Sequence, residues 1–207
     1  ESLGGVDWML SINGAEVVSH SASYDPCEVE KGMRVFMCRA EQVLNKPLQL
    51  SAETIIKTDA TQGGAMGEQW MQLGHCWAMK GTGGFVEVRL DRPVEPTKFV
   101  LEHAPSRISF QGGTSAPRRF RVQGWLSGDL EEQRETLVEG EYLINLDGFN
   151  AHIQPFPIRN AEDGRLRQID RVRMEVESNH GNPTFTCLYH LRLYAKIPPL
   201  PMTFPSS

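Results

Sequence analysis

A chain of 207 residues, 40% hydrophobic and 23% charged, is long enough for one domain with a sizeable core, and its composition excludes a disordered or collagen-like polymer. A net charge of −5 gives no reason to expect nucleic acid as a partner. No run of about 18 or more apolar residues is present, so no membrane-spanning helix is expected within the chain.

Residues 7–12 read as a short helical or irregular opening, broken at Asn13-Gly14, and residues 16–19 as a first strand. The stretch 25–72 has mixed periodicity. Residues 28–44 fit a helix or a hairpin, Asn45-Lys46-Pro47 breaks whatever precedes it, and Gly63-Gly64-Ala65-Met66-Gly67 reads as a loop. From residue 85 a period of two takes over. Phe85-Val86-Glu87-Val88-Arg89-Leu90 alternates and is closed by Pro93. Residues 98–103, 120–126, 141–144, 151–156 and 169–176 follow as further strands, and Glu131-Glu132-Gln133-Arg134-Glu135 reads as a charged loop or single helical turn. Asn179-His180-Gly181-Asn182-Pro183 is a turn signal. It leads into a closing strand over 185–194, in which Phe185, Cys187, Tyr189, Leu191 and Leu193 share a face. The Pro-rich stretch 197–207 cannot continue a central strand. Short alternating strands between turns predict an all-β protein, an antiparallel β-sandwich.

Few residues in this pattern point to catalysis. There is no H-E-x-x-H, P-loop, nucleophile elbow or dinucleotide fingerprint, and His20, His75, His103, His152, His180 and His190 lack ligand spacing, so no enzyme is expected. The basic runs at Arg118-Arg119-Phe120-Arg121 and at Arg165, Arg167, Arg171 and Arg173 fit solvated strand faces. Cys27, Cys38, Cys76 and Cys187 form no C-x-x-C pair, which gives little support to a zinc ribbon or a thioredoxin-like site; the even count permits disulfides without requiring them.

Several blocks recur in a known order. Asp7-Trp8-Met9-Leu10 is followed by Gly14-Ala15-Glu16-Val17-Val18-Ser19, then by Gly74-His75-Cys76-Trp77-Ala78-Met79-Lys80-Gly81 with Gly83-Gly84-Phe85-Val86. Val100-Leu101-Glu102-His103, Ser115-Ala116-Pro117-Arg118, Ser178-Asn179-His180-Gly181 and Thr186-Cys187-Leu188-Tyr189-His190-Leu191-Arg192-Leu193-Tyr194 complete the set. Together they resemble the SUN domain over residues 7–195. The resemblance implies a galactose-binding-like jelly roll, with residues 1–24 as the opening segment and first strand, 25–75 as a lid-like and cation-loop-like region with a helical or hairpin lid, 76–196 as the sandwich core and 197–207 as a Pro-rich tail.

What the resemblance implies for sites is specific. Cys76 and Cys187 would form an intradomain disulfide. A monovalent cation, K+ or Na+, would be held by backbone near Thr54, Lys57, Asp59 and His75, with Tyr189 close by; the extra residues around Gly63, Gly64 and Gly67 leave an ion-free glycine loop as the alternative. His103, Ser115 and Tyr189, with Gly84, would line the groove for the C-terminal tail of a KASH peptide. A second tyrosine of the family matches Phe185, which has no hydroxyl. The family's intermolecular cysteine maps near Ser21-Ala22 and is absent there, leaving Cys27 and Cys38 to pair with each other, to serve a partner or to stay reduced.

By the same resemblance the chain is a homotrimeric module in the perinuclear lumen, part of an inner-nuclear-membrane protein whose membrane span and coiled coil lie upstream; a start at Glu1 without methionine fits an excised piece. The exposed apolar run Val35-Phe36-Met37, with Val43 and Leu44, calls for a cover, such as a neighbouring protomer, a bound peptide or the domain's own core. The alternatives are a SUN-like domain of the endoplasmic reticulum that binds no KASH tail, and a carbohydrate-binding sandwich using Trp8, Trp70, Trp77 or Trp125, of which Trp77 and Trp125 fit the core better.

Overall fold

The computed structural model describes residues 5–28, 33–34, 38, 50–57, 76–107, 109–128, 134–144, 151–158 and 167–196. Its strands are β1 (Glu16–His20), β2 (Trp77–Lys80), β3 (Gly84–Glu102), β4 (Arg119–Trp125), β5 (Glu135–Glu141), β6 (Ile153–Pro157), β7 (Ile169–Val176), β8 (Phe185–Leu188) and β9 (His190–Lys196). Short 3-10 turns occupy Ser11–Asn13, Ala52–Ile56 and Phe110–Gly113. Every strand pairing is antiparallel.

The 19-residue strand β3 organises the sandwich. Its first part pairs β1 and β7, and β7 carries β4 and then β5, in the order β1-β3-β7-β4-β5. Its last part pairs β6 on one side and β9 on the other, so a single strand belongs to both layers. A strand changes sheets by bending, and the prolines mark where. The register breaks against β7 between Arg89 and Val94, around exposed Pro93, and against β9 between Pro96 and Lys98. Proline has no ladder N–H to lose, so it is tolerated where pairing is already interrupted.

Between the layers lies one apolar cluster. Val86, Val88 and Leu90 of β3, Phe120 and Val122 of β4, and Val172 and Met174 of β7 meet Phe99, Leu101, Leu191 and Leu193 from the other layer. Phe120 spans the join, with its ring 4.9 Å from that of Phe156 in an edge-to-face contact and 6.1 Å from that of Phe99. Each such side chain contributes roughly 1.5–3 kcal/mol by leaving water.

The strands expected at 85–90 and 98–103 are one strand, because Pro93 bends it without ending it. The strand expected at 141–144 lies earlier, at Glu135–Glu141. There Leu137 and Val138 are both buried beside a register shift between Val122 and Gln123, so two successive inward residues hide the period of two. The single closing strand is two, broken at Tyr189. β8 pairs β2, β9 pairs β3, and Phe185 and Cys187 therefore do not share a sheet face with Leu191 and Leu193. Most of the expected lid, including Val35, Phe36, Met37, Val43 and Leu44, lies outside the described residues, as does the tail from residue 197. Of the two lid readings, Met33, Arg34 and Cys38 carry helical backbone.

Candidate functional site

A small second sheet frames the site. β2 and β8 pair, with Ala78 opposite Cys187 and Lys80 opposite Phe185. Residues 22–24 add to the other edge of β2. Ser23 bridges Met79, the Tyr24 N–H donates to the Ala78 carbonyl at 2.7 Å, and the Lys80 N–H donates to the Ala22 carbonyl at 2.8 Å. The Trp77 indole N–H donates to Ser23 Oγ at 2.8 Å, which satisfies the one polar atom of a fully buried ring. Cys76, just before β2, is bonded to Cys187 in β8 with Cα atoms 5.5 Å apart, closing a separation of 111 residues.

The turn before β8 is built by side-chain amides. Asn179 Nδ2 donates to the Asn182 and Phe185 carbonyls and to Thr186 Oγ1, while its Oδ1 accepts from the Gly181 N–H at 2.9 Å. Asn182 Oδ1 accepts from the Thr184 N–H at 2.9 Å. Asparagine closes such turns because its short amide mimics a peptide group. The turn is laced to the loop before β4: the Cys187 N–H donates to the Ser115 carbonyl at 2.8 Å, and the His180 N–H to the Ala116 carbonyl at 3.1 Å.

These elements bring residues far apart in sequence to one place. Cys76, Ala104, Cys187 and Tyr189 form a buried cluster apart from the main core, with Phe185 packed against it. The ring of His103 meets that of Tyr189 edge-on at 4.8 Å. Ser115 joins through its backbone bond to Cys187. Phe185 in turn is stacked on Tyr24, with ring centroids 5.2 Å apart and planes 28° from parallel. Gly84 sits beside this region, where a Cβ would come within 2.6 Å of both Met79 Sδ and Ser21 Oγ; glycine is required by that close approach.

His103 does not lie in an open groove. It is 2% exposed, whereas Ser115 at 8% and Tyr189 at 7% keep an edge toward solvent. His103 Nδ1 donates to the Ala104 carbonyl at 2.9 Å, which fixes the tautomer and leaves Nε2 as an acceptor with no partner among the described residues. Burial lowers its pKa to about 4, against a smaller opposing effect of the Ala104 carbonyl. The imidazole is therefore neutral at pH 7. It supports the Tyr189 ring from beneath and supplies no positive charge.

Behind this cluster lies an ionic group. Glu102, fully buried at the end of β3, accepts from Arg192 Nε and stands 3.6 Å from His190 Nδ1. Burial alone would raise its carboxyl, but His190 and Arg192 outweigh it and its pKa lies below the usual range. Asp7 caps the backbone of β9, accepting from the Leu193 and Met9 N–H groups at 3.0 Å each; burial nonetheless raises its pKa.

The other expected residues separate clearly. Thr54 lies mid-way along the turn Ala52–Ile56 and Lys57 caps its end, the Lys57 N–H donating to the Thr54 carbonyl at 3.2 Å; Asp59 and His75 lie outside the described residues. Cys27 and Cys38 pair with each other, S–S 2.04 Å. Trp77 is fully buried and Trp8 is 8% exposed, while Arg134 lies 4.4 Å over the half-buried Trp125 ring. Trp70 lies outside the described residues. Several arginines of the basic runs pair with acids along the sheet surface: Arg118 with Glu141, Arg121 with Glu139 and Glu177, Arg167 with Glu135, and Arg173 with Glu87 and Glu175. Sequence reasoning missed Tyr24. The signal available was the Ser21-Ala22-Ser23-Tyr24 alternation after β1, which continues past the expected end of that strand.

Comparison with known proteins adds the family. Residues 49–197 match the family described as Sad1 / UNC-like C-terminal. The chain is 32% identical over 197 residues to SUN domain-containing protein 2 of Arabidopsis thaliana, covering 95% of this chain and 38% of that protein. It is 39% identical over 129 residues to the Klaroid protein of Drosophila melanogaster, covering 62% of this chain and 13% of that one. The chain thus spans well under half the length of these relatives. Among solved structures, it is similar to the family 32 carbohydrate-binding module of Streptococcus pneumoniae EndoD, with TM-score 0.55, 15% identity and coverage of 92% and 100% of the two chains. It is likewise similar to a putative chitobiase fragment from Bacteroides thetaiotaomicron, with TM-score 0.57, 8% identity and coverage of 95% and 96%. At such identities these likenesses establish the β-sandwich fold alone.

Proposed function

The chain belongs to the Sad1 / UNC-like C-terminal family, and on that premise we propose that it is a non-enzymatic module that captures the C-terminal tail of a KASH peptide. The observation that carries the reading is the convergence of His103, Ser115, Phe185 and Tyr189 around the Cys76–Cys187 disulfide, from strands and loops distant in sequence. Neutral hydroxyls at Ser115 and Tyr189 suit a peptide carboxylate, which is held by donors without the desolvation of a paired cation. Neutral His103 fixes the ring of Tyr189, and Gly84 lets Met79 and Ser21 pack closely beside the pocket.

The same proposal extends to the whole protein. The module is homotrimeric, lies in the perinuclear lumen of the nuclear envelope, and is tethered to the inner membrane through segments outside this chain, so that a captured tail bridges the two membranes and anchors the nucleus. Three sites per trimer supply avidity under load. A monovalent cation, K+ or Na+, is held by backbone oxygens near Thr54, Lys57, Asp59 and His75, on the Tyr189 side. An all-oxygen donor set fits such an ion, and the Thr54 carbonyl, which accepts one N–H, retains a second lone pair for it.

Fluorescence polarisation with a labelled synthetic KASH-tail peptide tests the capture. The free acid binds and the C-terminal amide binds at least tenfold more weakly, since a hydrogen bond to a charged group is worth about 1.5–3 kcal/mol. Equal binding of the two forms, or of neither, refutes the reading.

A further inference from the structure

One side of the sandwich is open. β5 and β6 are each paired on one flank only, and a groove of about 440 Å³ lies between them, lined by residues 136–139 and 156–158. We infer that Pro155 and Pro157 make the outer edge of β6 one that a second copy of this chain cannot join, and so keep self-association off this side of the sandwich.

The direction of the backbone groups leads to it. In an antiparallel pair, alternate residues turn N–H and C=O toward the partner strand and the others turn both away. The Ile158 N–H donates to the Thr97 carbonyl at 3.1 Å, and the His103 N–H donates to the His152 carbonyl at 3.1 Å. With Phe99 opposite Phe156 and Leu101 opposite Gln154, the backbone of Gln154, Phe156 and Ile158 faces β3. That of Ile153, Pro155 and Pro157 faces outward. Both prolines are exposed, and neither has an N–H to offer. Ile153 alone keeps a donor, so this edge is a row of carbonyls. A second β6 laid antiparallel against it would bury carbonyl against carbonyl with few donors between them. The inner flank loses nothing, because every residue that bonds β3 keeps its N–H. Phe156 likewise stays in place under Gly140, where a Cβ would come within 3.0 Å of its ring.

Other edges in the fold are closed by other means. On β9 the Leu193 carbonyl accepts from the Trp8 N–H at 2.8 Å, and the Leu193 N–H donates to the Asp7 carboxylate at 3.0 Å. Residues 22–24 cover the edge of β2. On β5 the Tyr142 N–H donates to the Arg118 carbonyl, which turns the backbone of Glu139 and Glu141 outward, and charged residues guard an edge. β6 carries no charged residue and has no covering segment among the described residues. Its guard is the pair of prolines.

The test restores the missing donors with threonine, whose branched side chain suits a strand. Pro155→Thr/Pro157→Thr, each single variant, the wild-type chain and a Pro93→Thr control are compared by light scattering over a dilution series and by backbone hydrogen exchange. Pro93 is also exposed but lies at the bend of β3. The wild-type chain and the control should share one mass profile. The double variant should add, as concentration rises, a species of about twice the wild-type mass. Its new amides at 155 and 157 should exchange freely when dilute and become protected on association. A folded double variant with the wild-type mass profile overturns the inference. New amides protected at every concentration, with the mass unchanged, mean that β5 takes them within one molecule, and the inference fails likewise. Equal association by Pro93→Thr would trace the effect to the loss of any proline and also overturn it. If the double variant does not fold, the single variants decide by the same two readouts.

Discussion

Protonating His103 is expected to destabilise the fold, by an amount that follows from its burial. An exposed histidine titrates near 6.5, and burial lowers His103 to about 4 in the folded chain. The folded state therefore resists a proton that the unfolded state accepts. The resulting stability is fully present above the unfolded pKa and is lost as the pH falls through the folded one. Between pH 7.5 and pH 5.0, linkage through these two values removes about 2 kcal/mol, and by pH 4 about 3 kcal/mol. Other groups also titrate over this range, so the informative quantity is the difference between the wild-type chain and His103→Gln, which carries no titrating group at that position. Urea denaturation at both pH values supplies it. The stability difference, wild type minus variant, should fall by about 2 kcal/mol on going from pH 7.5 to pH 5.0. Parallel pH profiles for the two proteins would show that His103 titrates as it does in the unfolded chain, and a difference that rises toward pH 5.0 would show that it is held charged; the second result would remove the argument that the pocket binds without a histidine cation.

Replacing Cys76 and Cys187 together by serine should lower stability by about 3–5 kcal/mol in an oxidised urea titration, because the bond closes a separation of 111 residues in the unfolded chain; a loss below about 1 kcal/mol would contradict this. Arg192→Met leaves Glu102 buried without its guanidinium and should cost about 3–5 kcal/mol, with part recovered when Glu102→Leu is added. Urea denaturation of the three proteins checks that order. If a coiled coil precedes this chain in the whole protein, light scattering on a protein extended through it should report a trimer, and a stable monomer with and without peptide would rule out the proposed homotrimer.

The sequence is legible where one face of a strand is buried and the other wet. β7 runs Ile169–Val176, as its alternation predicts, with Val172, Met174 and Val176 inward. Legibility fails where the sheet departs from that geometry. Trp77–Lys80 pairs within a two-stranded sheet and is too short to show a period. In β5 a register shift turns two successive residues inward, and in β3 a bent strand carries prolines that otherwise end strands. For the candidate site, the motifs around Cys76, His103, Ser115 and Cys187 mark its walls, but a motif cannot give depth. That His103 lies beneath Tyr189, and that Tyr24 covers Phe185, depends on how β8 folds onto β2, which is a tertiary fact.

The most direct test of peptide capture is a crystal structure of the chain with a synthetic KASH-tail peptide bound. The account predicts the terminal carboxylate within hydrogen-bonding distance of the hydroxyls of Ser115 and Tyr189, beside the Cys76–Cys187 disulfide. A peptide lying on another face, or one whose carboxylate points into solvent, would contradict it.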